Sequence, residues 1–138
     1  MTSTAQMSAL EVVDGIAVIR ITGHCRFGAA VRLVTSALEQ VCNARHGLCL
    51  IEGLELEGFG PPSVAARLEM VRAWAGAAGG LVVCALVVRP EWIDHEKIGV
   101  IAARNRGFHC DVFEAEDEAR AWLLSQAAIQ PMRRAEPV

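Results

Sequence analysis

Two histidine–cysteine doublets, His24-Cys25 and His109-Cys110, carry residue types that hold zinc or run thiol chemistry. Neutral imidazole and thiolate bind zinc at about 2.0–2.3 Å, and a cysteine beside a histidine is the pairing of a thiol nucleophile. Three acids, Glu52, Glu55 and Glu57, lie in and beside the Gly- and Pro-rich stretch GLELEGFGPPS (53–63). Such carboxylates can hold a hard cation or exchange protons. Within it GFGPP (58–62) has the glycines of a phosphate cradle, but no GK[ST] follows and proline offers no amide donor. Arg89-Pro90-Glu91-Trp92 sets a guanidinium, which can pair an anion, beside an indole face.

What these residues can do depends on the elements that carry them. ALEVV (9–13), Asp14-Gly15 and IAVIRIT (16–22) read as two strands joined by a type I′ turn, because Asp-Gly supplies the positive φ angles that turn demands. From about Gly28 to Ala44 the apolar positions Ala30, Val31, Val34, Ala37, Leu38 and Val41 recur at helical spacing, with Gly47 as the stop. LCLIE (48–52) is a short strand. Pro62 or Ser63 opens a second helix with an inner stripe of Val64, Leu68, Val71, Ala75 and Ala78, ended by Gly79-Gly80. LVVCALVV (81–88) is apolar on both faces, as in a central parallel strand. Asp94 is the predicted N-cap of a third helix with Ile98, Ile101 and Ala102 facing inward. FHCDVF (108–113) is a more polar strand nearer an edge. A last helix over 115–127 starts on Glu116, Asp117 and Glu118, which complement its dipole, and turns Ala119, Trp122, Leu123 and Gln126 inward.

The order ββαβαβαβα predicts an α/β fold with a mostly parallel sheet of about five strands, the first antiparallel, and about four helices. One domain over residues 1–128 is expected, with a flexible tail over 129–138. In such a sheet His24-Cys25 follows a carboxyl end and His109-Cys110 begins a strand, so the doublets fall at opposite ends. The reading of packed thiols and solvated rings is therefore preferred to a metal site. Cys25 is left as a reactive-thiol candidate, and the loop acids are read as solvated.

Composition narrows the classes further. The net charge is −3 and twelve of the thirteen basic residues are arginines scattered along the chain, with no Tyr. Nucleic-acid binding, which uses a basic face and stacking aromatics, is not expected. No apolar run approaches the roughly 20 residues of a membrane span. The first fifteen residues lack the basic and apolar regions of an export signal. Five cysteines without CxxC spacing fit small buried hydrophobes in a reducing cytoplasm.

Two patches carry a resemblance. DGIAVIRITG (14–23) is similar to the strand-ending-in-Gly opening of STAS domains, and FHCDVFEAEDEARAWL (108–123) looks like the closing strand, acidic turn and EAxAWL helix of small SpoIIAA-like proteins. The chain thus resembles the SpoIIAA-like branch of the STAS/Sec14-type fold over about residues 9–125. The resemblance implies two precedents. In anti-sigma-factor antagonists a partner kinase phosphorylates a Ser that follows an Asp at the start of the helix after the third strand. The matching position here is Ser63, preceded by Pro62 instead of Asp. In Sec14-like relatives a lipid or other apolar ligand lies against the sheet.

The expectation is a non-catalytic cytoplasmic module recognising a protein partner or a small apolar or anionic ligand, with no cofactor and no metal. A phospho-switched antagonist or a small thiol-dependent enzyme are the alternatives, and a homodimer is compatible with each. The candidate surface joins the loops at the carboxyl ends of the strands: His24, Arg26, Glu55, Glu57, Phe59, Ser63, Arg89 and Trp92.

Overall fold

A computed structural model describes residues 4–129. The Asp14-Gly15 turn forms as predicted. Both residues have positive φ, 52° and 80°, and they join β2 (Glu11–Val13) to β3 (Ile16–His24). Ahead of them Gln6–Met7 forms β1, antiparallel to the far end of β3. The chain continues through α1 (Phe27–Asn43), β4 (Leu48–Glu52), β5 (Leu56–Glu57), α2 (Val64–Ala78) and β6 (Val83–Val87). A single 3-10 turn over Pro90–Trp92 leads to α3 (Ile98–Asn105), β7 (Cys110–Phe113) and α4 (Glu116–Ile129). Apart from Ile129, the predicted tail lies outside the described residues.

The main strands lie in the order β2-β3-β4-β6-β7, with β2 antiparallel and the rest parallel. This is the predicted architecture with two short additions, β1 and β5, each two residues long. Period-2 alternation packs one face of β3 (Ala17, Ile19, Ile21) under α1 and α2 and the other (Ile16, Val18) on the α4 side. β7 is the edge strand. Lys97 Nζ, just ahead of α3, donates to Asp111 Oδ1 of β7 at 2.8 Å.

Three helix readings need correction. In α2 the buried residues are Val71, Trp74 and Ala78, while Val64 and Leu68 are 53% and 44% exposed. Followed back at i−3 and i−4, the true inner stripe runs through Met70 to Arg67, so an arginine holds an inward position. In α3 Ala103 is buried and Ile101 is 55% exposed. There Asp94 acts from outside the helix, its Oδ2 accepting from the Ile98 amide at 2.9 Å, and Lys97 occupies the cap position at φ 53°. α1 ends at Asn43 and the chain turns left-handed at Arg45 (φ 65°), two residues before Gly47, where the amides of Arg45 and His46 close on the carbonyls of Cys42 and Val41.

The feature that shapes the functional end is a length mismatch. β3 has nine residues and β4 five, and β4 ends opposite Arg20. The chain after β4 folds back so that β5 pairs with the overhang: the amides of Gly23 and Cys25 donate to the carbonyls of Glu55 and Glu57 at 3.2 and 3.0 Å. Gly58 then passes over Cys25 at φ 117°, where a Cβ would run into the Cys25 carbonyl oxygen. Gly58→Ala is therefore expected to destabilise by at least about 2 kcal/mol in urea unfolding, from strain and clash together. Gly60→Ala, with open space around it, is expected to leave the midpoint nearly unchanged.

Candidate functional site

At the carboxyl end of the parallel strands the fold-back loop meets the start of α1 and the Arg89–Trp92 turn. Phe59, on the loop, stacks on Trp92 with centroids 4.5 Å apart and planes 15° from parallel. Phe27, the first residue of α1, meets the edge of Phe59 at 5.5 Å. Each contact contributes on the order of 1 kcal/mol beyond the area it buries. Pro90 at the head of the 3-10 turn fixes φ there and so aims Trp92.

Beneath these rings, between sheet and helices, lies a cavity of about 110 Å³. Its floor is Ile21, Ile51 and Leu86 of β3, β4 and β6, and its walls come from α1 (Ala30, Val31, Val34) and α2 (Met70, Trp74). The Trp74 indole N–H is spent on the Val31 carbonyl at 3.1 Å. Among the described residues one charged side chain reaches the lining, Arg67, whose Nη1 donates to the Trp92 carbonyl at 3.1 Å. A smaller cavity of about 50 Å³ adjoins and shares Arg67, Met70, Trp74 and Trp92.

Of the residues singled out from sequence, Phe59 and Trp92 line the cavity. Arg89 sits outside it: its Nε donates to the Leu54 carbonyl at 3.3 Å, its Nη2 is 3.9 Å from Glu57, and its guanidinium lies 5.7 Å from the Trp92 ring centre. His24, Arg26, Glu55, Glu57 and Ser63 are exposed around the rim side of the same end. Ser63 caps α2, its Oγ accepting from the Ala66 amide at 3.1 Å. Arg67 carries no signal in the sequence, since a charge on a helix reads as solvent-facing unless the stripe's phase is known.

The thiols and carboxylates do not converge. Among the described residues no group of three or more His, Cys, Asp or Glu side chains gathers where it could hold a metal ion. Burial pushes the Cys25 thiol above its ordinary range, opposite to the shift of a nucleophilic thiolate. Cys49, Cys84 and Cys110 stand side by side across β4, β6 and β7, buried on the face under the helices. The Cys84 thiol is raised first by its bond with Cys49, and burial lifts Cys110 to about 12. These are packing groups.

Glu52 belongs to an ion network on the opposite face. Arg20 Nη1 lies 2.7 Å from Glu116 Oε1 and 4.0 Å from Glu52, and Arg120 pairs with Glu116 at 3.0 Å. The two acids respond in opposite directions. Glu116 is held below the usual carboxylate range, first by its hydrogen bond with Arg20, whereas burial raises Glu52.

No family model matches the chain, and no curated protein matches it. Among solved structures the chain is similar to an anti-sigma factor antagonist from Mycobacterium paratuberculosis, with a TM-score of 0.56 and 18% identity over 88% of this chain and 95% of that one. The fold is SpoIIAA-like. On it, α2 follows the strands β4 and β5 and starts at Ser63. Among the described residues no helix is long and apolar enough to cross a membrane.

The ion network yields a pH test. A depressed Glu116 stabilises the fold above the ordinary carboxylate pKa, and that contribution is lost as pH falls through the depressed value. A raised Glu52 opposes folding at neutral pH, and the cost is relieved as pH falls through the raised value. In urea unfolding at pH 7, Glu116→Gln is expected to lose up to about 1 kcal/mol after solvent screening. It is also expected to flatten the acid-side fall in stability. Glu52→Gln is expected to hold or raise stability at pH 7.

Proposed function

We propose that this SpoIIAA-like chain is a non-catalytic regulatory module that holds a small apolar ligand under Phe59 and Trp92 and presents the surrounding loops to a protein partner. The cavity carries this reading. Its lining is almost wholly hydrocarbon and aromatic, and a ligand of matching shape gains dispersion contacts and leaves water at once. Its volume, about 110 Å³, is of the same order as the roughly 150 Å³ of a cavity that takes a benzene ring, and its open mouth leaves room for a ring substituent. That favours a ring-sized body over the long acyl chain of the Sec14-type precedent. A cytoplasmic setting is supported by the five free cysteines.

Occupancy and partner surface are linked by construction, since Phe59 and Pro62 line the cavity while their neighbours Glu57 and Ser63 are exposed. Toluene added to the protein is expected to bind saturably and to shift the indole resonances of Trp74 and Trp92. Ala30→Leu, which fills the cavity from α1, is expected to abolish the shift while the circular dichroism spectrum stays unchanged. Toluene without a saturable effect on the wild type would contradict the reading.

A second reading, a phospho-switched antagonist, is favoured by one observation: Ser63 is exposed and its Oγ already faces the amides of the α2 N-terminus. A phosphate there would meet the positive end of the helix dipole. After incubation with a bacterial extract and ATP, that reading expects phosphate on Ser63 by mass spectrometry and none on a Ser63→Ala protein. An unmodified Ser63 would count against it.

A further inference from the structure

Building on the cavity reading, we propose that the ligand is a small monocarboxylate with a compact apolar body, its carboxylate held by Arg67. Four observations converge on this class. Among the described residues Arg67 is the single charged side chain lining the main cavity, and it sits on the inner stripe of α2. Its guanidinium is anchored by one bond, Nη1 to the Trp92 carbonyl at 3.1 Å. That leaves most of its five N–H donors without an assigned acceptor. Among the described residues no carboxylate stands within ion-pair distance of it, whereas Arg20, Arg89 and Arg120 all have acidic partners. The other polar group on an inner wall, the Trp74 indole N–H, is already bonded to Val31.

A half-buried cation at the edge of a hydrocarbon space is costly unless an anion meets it. The planar fork of Arg matches a carboxylate with two parallel hydrogen bonds. A phosphate would need several further donors to satisfy its oxygens. The nearby GFGPP loop offers fewer than a phosphate-binding loop does, since Pro61 and Pro62 lack amide hydrogens. The volume limits the remainder of the ligand to one ring or a branched chain of similar bulk. Asp94, which lines the smaller adjoining cavity, is the competing acid. Its carboxylate feels the Arg67 charge but lies beyond ion-pair distance of it, and it accepts from the amides of Ile98 and Glu96 at the head of α3.

Toluene, benzamide and benzoate separate this proposal from the reading beneath it. All three carry the same ring, and only benzoate is charged at pH 7. In titrations followed by the Trp74 and Trp92 resonances, benzoate is expected to bind the wild type about tenfold or more tighter than benzamide. In Arg67→Met the two are expected to become equal while toluene binding is retained. Equal affinity of benzoate and benzamide for the wild type would overturn the carboxylate proposal, and toluene binding would then leave the apolar cavity standing. Failure of all three to bind would overturn both. Because the benzoate–benzamide comparison uses wild-type protein, it decides the matter even where Arg67→Met folds poorly.

Discussion

The backbone of a strand that outruns its neighbour has to find hydrogen-bond partners, and that requirement organises the functional end of this protein. β3 continues past β4, and its unpaired backbone groups are met by β5 on one side and by the β1 segment on the other, where the Ala5 amide donates to the His24 carbonyl at 3.1 Å. Three backbone segments then crowd around Gly23 and Cys25. A Cβ on Gly23, at φ 110°, would lie 2.7 Å from the Thr4 carbonyl oxygen. Glycine at 23 and 58 is what lets them approach. The return of the loop leaves Phe59 over Phe27 and Trp92, and the cavity is the space that this roof encloses.

Alternation along the same strand separates two kinds of chemistry. Ile21 faces the helices and floors the cavity, while its neighbour Arg20 faces the other way and ties the first turn of α4 to the sheet through Glu116. Glu116 also receives Arg120 one turn later, so two guanidinium groups converge on one carboxylate. Glu52 shares the neighbourhood at a desolvation cost. The apolar face is free of such constraints. Its row of cysteines contributes small, buried side chains beneath α2 and α3.

Much of this was legible in the sequence because strong local signals agreed with one another. Asp14-Gly15 allowed one hairpin geometry, the apolar run before Arg89 could only be a covered strand, and the acids at 116–118 marked a helix start. The short strands β1 and β5 were not legible, since two residues have no periodicity and owe their form to the β3 overhang. The phase of α2 is hidden for a related reason: Val64 and Leu68 are as apolar as core residues, but the contact with α1 and the sheet selects the stripe through Trp74. That rotation turns Arg67 inward, so the charge on the candidate site appeared only with the packing. Phe59 and Trp92 were recognisable as large apolar groups on loops at the correct end of the sheet. Their stacking on each other depends on the loop's return and not on their own spacing.

The account rests on the loop after β4 being folded onto the end of β3 with Phe59 over Trp92. Proton–proton Overhauser effects between those two rings in the free protein measure this directly. The account expects strong cross-peaks between the Phe59 ring and the Trp92 indole, with weaker ones from Phe59 to Phe27. A spectrum with no Phe59–Trp92 cross-peaks would mean that the roof, and with it the cavity, is absent.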